Sequence, residues 1–301
     1  MCEKPTVSVL LSTYNGQKYI RELVESVLAQ DDVNVKLQVR DDGSTDDTIT
    51  ILNSFNDPRI SIRTGENLKP AMSFLTLLRN CDDADYYAFC DQDDFWYPYK
   101  LKTAIDELKT FSGPALFVST YDVCDDNLNK MFTYDMKFED QIRLQDVLIY
   151  RAPSGCNLVF NHKLRDVINK SQPEFVRMHD FWTFIVTLSH DFPIISKNIP
   201  LIKYRQHEGE SVGITPTVNT RLKRLFRSLR KGNNERWRQA NEAYKAFKDE
   251  IPADKKEILE MVVNYRDSFG RRIKLANDKR FKTNSLYINL LFKLSVLAGK
   301  F

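Results

Sequence analysis

Cysteine is scarce in this 301-residue chain and forms no metal-binding or cross-linking pattern. Cys2, Cys81, Cys90, Cys124 and Cys156 are odd in number and without C-x-x-C spacing, which argues against a zinc site or a disulfide framework and for a reducing, cytosolic compartment. The amino end lacks a basic segment leading into an apolar run, so it reads as a mature cytosolic start. Long hydrophobic runs are also lacking. The most apolar stretch, residues 286–298, contains Asn289 and Lys293 and falls short of the roughly 20 residues that span a bilayer. There is no internal repeat and no low-complexity tract. Net charge is only +3, yet residues 221–238 hold eight Lys or Arg against one acid, Glu235. No nucleic-acid recognition motif accompanies that basic stretch, so nucleic acid is not an expected partner.

What is present is an alternation of short apolar runs and amphipathic segments. Residues 7–11 read as a strand, followed by the turn-rich Ser12-Thr13-Tyr14-Asn15-Gly16. Ile20, Leu23, Val24, Val27 and Leu28 then recur at helical spacing over residues 19–30. A second strand over residues 35–39 ends at Asp41-Asp42-Gly43-Ser44, and Ser44-x-x-Asp47 predicts a capping box opening the next helix. Residues 60–62 and residues 72–78 supply a third strand and a third helix. A fourth strand, residues 86–90, runs straight into Asp91-Gln92-Asp93-Asp94. This order predicts βαβ units and a doubly wound, mostly parallel sheet, in which ligands bind at the carboxyl ends of the strands. Three carboxylates there repel one another unless a cation or ligand compensates them. An EF-hand is excluded, because Phe95 and Trp96 stand at the fifth and sixth loop positions, where an oxygen ligand and glycine are needed.

Farther on, strands are expected at residues 115–120, 157–160 and 201–204, and helices at residues 145–149 and 179–188. Beyond Pro216 the composition turns basic and helical, with Leu222, Leu225, Phe226 and Leu229 on one face. The expected division is residues 1–216 as one domain, with a nucleotide-binding half (1–114) and an acceptor half (115–216). Residues 217–301 form a helical region. Its basic amphipathic segment suits either an anionic membrane surface or docking on the core.

Taken together, the residue 7–15 motif, Asp41-Asp42-Gly43-Ser44-Thr45-Asp46 and Asp91-Gln92-Asp93-Asp94 resemble the inverting glycosyltransferases of family 2. Ser154-Gly155-Cys156-Asn157, His179-Asp180-Phe181-Trp182 and Tyr204-Arg205-Gln206-His207 are similar to acceptor-side motifs of bacterial polysaccharide enzymes in that family, notably rhamnosyltransferases. The resemblance implies a GT-A fold, a Rossmann-like α/β sheet flanked by helices, with a C-terminal helical extension. It also implies Mn²⁺ or Mg²⁺ as cofactor, a dTDP- or UDP-sugar donor and a lipid-linked glycan acceptor. The protein would then lie on the cytoplasmic face of the cell membrane, and a homodimer is left open. Processive synthases of the family carry Gln-x-x-Arg-Trp with spanning helices. Here the nearest echo is Asn233-x-x-Arg236-Trp237 without such helices, so transfer of a single sugar is expected.

The resemblance also assigns roles. Asp93 would ligate the metal and His207 would complete its site or contact the diphosphate, while Asp91 would touch the ribose or the metal shell. Asp42 would accept the imide N–H of uracil or thymine, with Tyr14 stacking on the base and Ser12 and Asn15 adding polar contacts. Asp180 would take the proton of the acceptor hydroxyl. Arg205 is a candidate diphosphate clamp, and Ser154, Asn157 and Trp182 candidate acceptor contacts; Trp96 is a further candidate sugar platform. Helix capping competes for Asp42 and Asp180, and core packing for the tryptophans. A sugar nucleotidyltransferase or a non-catalytic glycan-binding scaffold would share this sheet. The former should carry a Gly-rich, basic loop after its first strand, which residues 12–16 are not.

Overall fold

A computed structural model describes residues 3–136, 142–149, 152–206 and 234–301. His207 and the segment bearing Leu222, Leu225, Phe226 and Leu229 lie outside the described residues. The first half alternates as expected: β1 (Thr6–Thr13), α1 (Ile20–Leu28), β2 (Asn34–Asp41), α2 (Thr48–Ser54), β3 (Ile60–Thr64), α3 (Lys69–Asn80) and β4 (Tyr86–Cys90). These strands pair in parallel in the order β3-β2-β1-β4. The chain turns to opposite sides of β1 for β2 and for β4, which makes the carboxyl ends of these strands the place where ligands of such sheets bind.

The second half adds β5 (Phe95–Trp96), α4 (Lys100–Leu108), β6 (Leu116–Cys124), β7 (Lys130–Thr133), α5 (Leu144–Ile149), β8 (Leu158–Asn161), α6 (His162–Asn169), α7 (His179–Ser189) and β9 (Ile194–Arg205). They extend the sheet as β4-β8-β6-β9-β5, with β8 antiparallel to both neighbours and β7 paired to β6. Helices α8 (Glu235–Phe247), α9 (Ala253–Val263), α10 (Phe269–Asn277) and α11 (Leu286–Leu297) follow.

Successive strand residues enter opposite faces of the sheet. Val7, Val9 and Leu11 of β1, with Ala88 of β4, meet Leu23, Val24 and Val27 of α1 and Leu101 of α4 on one side. On the other side Leu10, Tyr87 and Phe89 meet Phe74 of α3 and Trp182 and Ile185 of α7. Burial on both faces explains why these strands are continuously apolar rather than alternating. The C-terminal helices join the second of these cores through Phe247, Leu259, Leu275, Phe292 and Val296. Among the described residues no helix is long and apolar enough to cross a membrane.

Four expectations are corrected. β9 begins at Ile194, not near Leu201, because pairing with β6 through register shifts holds polar residues such as Lys197 in the strand. The predicted capping box does not form: α2 starts at Thr48, Ser44 Oγ donates to Asp41 at 2.5 Å, and Asp46 accepts the Thr48 N–H at 3.1 Å. Trp182 is fully buried against Phe247 and is a core residue, not an acceptor platform. Trp96 is likewise fully buried. Trp182→Ala is therefore expected to cost about 3–5 kcal/mol in chemical denaturation, the range for emptying a large aromatic site; unchanged stability would return Trp182 to the surface.

Candidate active site

The loops after β1 and β2 are locked together before any ligand arrives. Thr13 Oγ1 donates to Asp41 at 2.8 Å, and the Asp41 carboxylate also receives the Gly43 and Ser44 N–H groups at 3.1 and 2.8 Å. Asn15 takes a positive φ of 50°, which asparagine tolerates, and its side-chain oxygen accepts from Thr45 N at 2.8 Å. Its own N–H donates to Ser44 Oγ at 2.8 Å. Gln92 closes the crevice from the β4 side, accepting from Tyr14 N at 2.9 Å and donating to Tyr14 O at 3.2 Å. The Tyr14 ring is left 47% exposed above this frame.

Asp42 is buried. It pairs with Arg40 and accepts from Ser73 Oγ at 2.9 Å and from Leu68 N at 3.0 Å. Both carboxylate oxygens are thus engaged, so a base would have to share them. Ser12 bonds Ser73 at 2.7 Å and belongs to the same network. Its place in the network gives Ser12 a role in holding the loop.

Asp91 and Asp93 are half-buried at the end of β4, and Asp94 is buried. Burial and the charges of Asp93 and Asp180 push the Asp91 carboxyl up to about 7. Asp94 is raised well above the usual carboxylate range by burial and by Asp93 and Asp91, and neither of its oxygens meets an N–H or O–H donor. An uncompensated buried carboxylate costs several kcal/mol. The nearby cation is Lys100, also fully buried, which lies over the Trp96 ring at 3.2 Å and donates to Cys156 O at 2.7 Å. Burial holds its ammonium down to about 8.

Ligand atoms of Asp91, Asp94 and Cys156 lie within 4.8 Å of one another. The carboxylates suit a hard divalent cation, whereas the Cys156 thiol is kept protonated by burial and is a soft donor. The orphaned oxygens of Asp94 and the mutual repulsion of the acids therefore fit a cation better than a closed network does. Arg205 does not project free into the crevice. Its guanidinium donates to Asp93 O at 2.9 Å, to Glu22 Oε2 at 2.6 Å and to Asp126 O. It pins the Asp93 backbone.

The acceptor side is built from α7 and the 3-10 turn Gly155–Asn157. His179 sits between Phe74 and Phe89, ring centroids 3.9 and 4.6 Å away, with neither ring nitrogen partnered. Burial depresses it to about 3, so it is neutral. Gly155 lies directly against its Nε2, where a Cβ would collide. This contact brings the start of α7 beside the turn. Asp180 follows at the first turn of α7, its carboxyl pushed up to about 7 by burial despite accepting the Phe181 N–H at 2.6 Å. Its charge acts on Asp91, so the two carboxylates lie near each other. Ser154 Oγ contacts Cys156 Sγ at 3.3 Å, while the buried Asn157 amide has no partner on either atom.

Residues 8–168 match the profile of the family described as Glycosyl transferase family 2, more than half of the chain. The chain belongs to that family. This glycosyltransferase is 28% identical over 231 residues to a dTDP-rhamnosyl transferase, RfbG, of Shigella flexneri, covering 71% of this chain and 78% of that one. It is 27% identical over 208 residues, 67% and 78% of the two chains, to WfaP of Escherichia coli, a UDP-Glc:alpha-D-GlcNAc-diphosphoundecaprenol beta-1,3-glucosyltransferase. Among solved structures it is similar to S. aureus TarS 1-349 in complex with UDP-GlcNAc, at TM-score 0.56 and 17% identity over 97% of this chain and 89% of that one. A mannosyltransferase from Pyrobaculum calidifontis, solved with GDP-Man and Mn²⁺, gives TM-score 0.58 and 16% identity over 99% and 87%. The fold is that of the GT-A glycosyltransferases, and the protein is an enzyme of that class.

Hydrogen bonds tie Ser12, Asn15 and Asp42 into the loops after β1 and β2, Gln92 joins Tyr14 to the end of β4, Arg205 holds the Asp93 backbone, and Trp182 is buried in the core. Lys100 and Ser73 were not singled out by the sequence, and Gln92 and Gly155 entered only as members of motifs. A lysine, a glutamine or a serine at such positions carries no local signal, and Gly155 becomes necessary only once His179 lies against it. Gly155→Ala is expected to destabilise the fold by about 1–3 kcal/mol. The loss should shrink in a His179→Ala background, because the clash is then gone. Equal losses in both backgrounds, measured by denaturation, would refute the contact.

Proposed function

We propose that this enzyme is a metal-dependent inverting glycosyltransferase of polysaccharide assembly. In this reading it moves one sugar, with dTDP-rhamnose as the leading donor ahead of UDP-hexoses, to a lipid-linked glycan at the cytoplasmic membrane surface. The observation that carries the reading is that Asp180, buried at the first turn of α7 with its carboxyl at about 7, lies close enough for its charge to act on Asp91. A general base works best with a pKa near the operating pH. RfbG supports the rhamnose donor, WfaP the lipid diphosphate acceptor, and the Mn²⁺ complex of the Pyrobaculum enzyme the metal, each by likeness.

By the resemblance Asp93, beside the clustered Asp91 and Asp94 carboxylates, would hold the divalent cation, which when bound neutralises the diphosphate leaving group as a Lewis acid. Exposed Tyr14 offers a face to the base, and the Asp42 network shapes the floor of that pocket. Arg205 fixes the Asp93 backbone so that the carboxylate keeps its aim. In the single displacement the acceptor oxygen forms its bond to the anomeric carbon as the bond from that carbon to the diphosphate oxygen breaks. The hydroxyl proton passes to Asp180.

The pH dependence follows from the direction of the Asp180 shift. Above about 7 its carboxylate is free to accept a proton; below, turnover falls about tenfold per pH unit. Asp180→Asn should lower kcat by about 100- to 10,000-fold, with donor binding by thermal shift retained. A raised carboxyl pKa contributes stability that is full below its unfolded value and lost as pH rises through about 7. Asp180→Asn should therefore raise Tm by a few degrees at pH 8, whereas a purely capping aspartate would lower it on replacement. Thermal shift across dTDP- and UDP-sugars with Mn²⁺ or Mg²⁺ should respond to dTDP-rhamnose most strongly. Asp93→Ala should erase the metal-dependent part, and a shift that survives it would overturn the metal assignment.

A further inference from the structure

The outer face of the α10 and α11 pair is out of keeping with the rest of the surface. Leu286, Leu290 and Leu294 stand four residues apart on α11, which aligns them in one stripe, and they are 85%, 56% and 42% exposed. Phe269 and Ile273 make the corresponding stripe on α10, at 64% and 44%. Six of the thirteen large exposed hydrophobics among the described residues fall on these two helices, so the patch is a cluster rather than scatter. The opposite faces, with Leu275 and Ala276 on α10 and Phe292 and Val296 on α11, are buried in the core.

The two helices run antiparallel. Arg272 Nη1 donates to Leu297 O at 3.3 Å, and Lys293 Nζ to Asn277 Oδ1 at 3.4 Å. Residues 268–301 contain eight Lys or Arg and a single acid, Asp278. Lys274, Lys279, Lys282 and Lys293 are exposed, and among the described residues none lies within ion-pair distance of an acid. The turn between the helices is bolted to the acceptor side of the enzyme: Arg143 donates to Arg280 O at 3.2 Å and to Lys282 O at 3.0 Å, beside α5, which packs on α7.

We infer that this face of α10 and α11 seats on an anionic lipid bilayer, with its leucines and Phe269 entering the headgroup boundary and its lysines on lipid phosphates. The inference gives a surface to the membrane location proposed above and rests on that reading for its biological sense. Charge complementarity selects the occupant. Unpaired lysines around an apolar stripe complement an anionic leaflet. A second copy docking through the same patch would bring like charges together across the symmetry axis, and lysine is depleted from protein interfaces.

The test uses the full chain with vesicles of phosphatidylcholine alone or with about one-third phosphatidylglycerol. Binding to anionic vesicles, weaker by about tenfold or more on neutral ones, is expected. The triple variant Leu286→Ser, Leu290→Ser, Leu294→Ser and the double variant Lys274→Glu, Lys293→Glu should each lose about tenfold or more in partitioning. Donor hydrolysis and circular dichroism should stay unchanged, since these side chains are outside the core and the crevice. Equal binding by wild type and both variants, or no vesicle binding by the wild type, overturns the inference. A wild-type dimer in sedimentation that the triple variant dissolves also overturns it, in favour of a second copy. Loss of donor hydrolysis in the wild type with every nucleotide sugar would instead sink the transferase reading and leave the membrane surface standing.

Discussion

Negative charge gathered at the carboxyl end of β4 is the constraint around which the molecule is arranged. Asp91, Asp93 and Asp94 follow a fully apolar strand in the short turn between β4 and β5, so the chain delivers them to the rim of the sheet. Among the described residues a buried cation, Lys100, acts on Asp91 and Asp94, and its ammonium is occupied by a carbonyl and an aromatic face. Such a cluster is costly unless an external cation supplies what the fold withholds. Arg205, the residue best suited to neutralise it, is instead turned to the Asp93 carbonyl and to Glu22. The arrangement holds the Asp93 backbone in place beside Asp91 and Asp94, whose carboxyls burial raises.

The same economy of placement appears on the acceptor side. His179 is neutral, packed between two phenylalanines, and its ring makes no hydrogen bond. What it contributes is shape: it occupies the space that glycine at 155 leaves, and so sets α7 against the 3-10 turn. Asp180, one residue later, inherits a dry site from that packing, and dryness is the largest cause of its raised pKa. The proposed base and the acid cluster thus come from segments some ninety residues apart in sequence, and burial is the largest cause of the raised carboxyls of Asp180 and Asp91.

Much of the fold was legible because parallel strands buried on both faces leave continuous apolar runs, and amphipathic helices between them keep a regular period. The first four strands and three helices follow from that alone. Where pairing, not composition, makes the element, legibility fails. The early part of β9 carries Lys197 and Pro200 and is a strand only because β6 lies beside it. The two-residue β5 is too short to leave a pattern, and Ser44 looked like a helix cap until Asp41 was seen to claim its hydroxyl.

For the site, the sequence by itself determined the chemistry on offer: which strand ends carry carboxylates, where an aspartate opens a helix, and which family these motifs resemble. It determined this because residue type and spacing along a strand or helix are local properties. Only the tertiary structure decided who meets whom. It committed Asp42 to Arg40 and Ser73, turned Arg205 from a clamp into a support, and buried Trp182 in the core. Those outcomes depend on solvent exclusion and on partners distant in the chain, and neither is encoded in the spacing of a single segment.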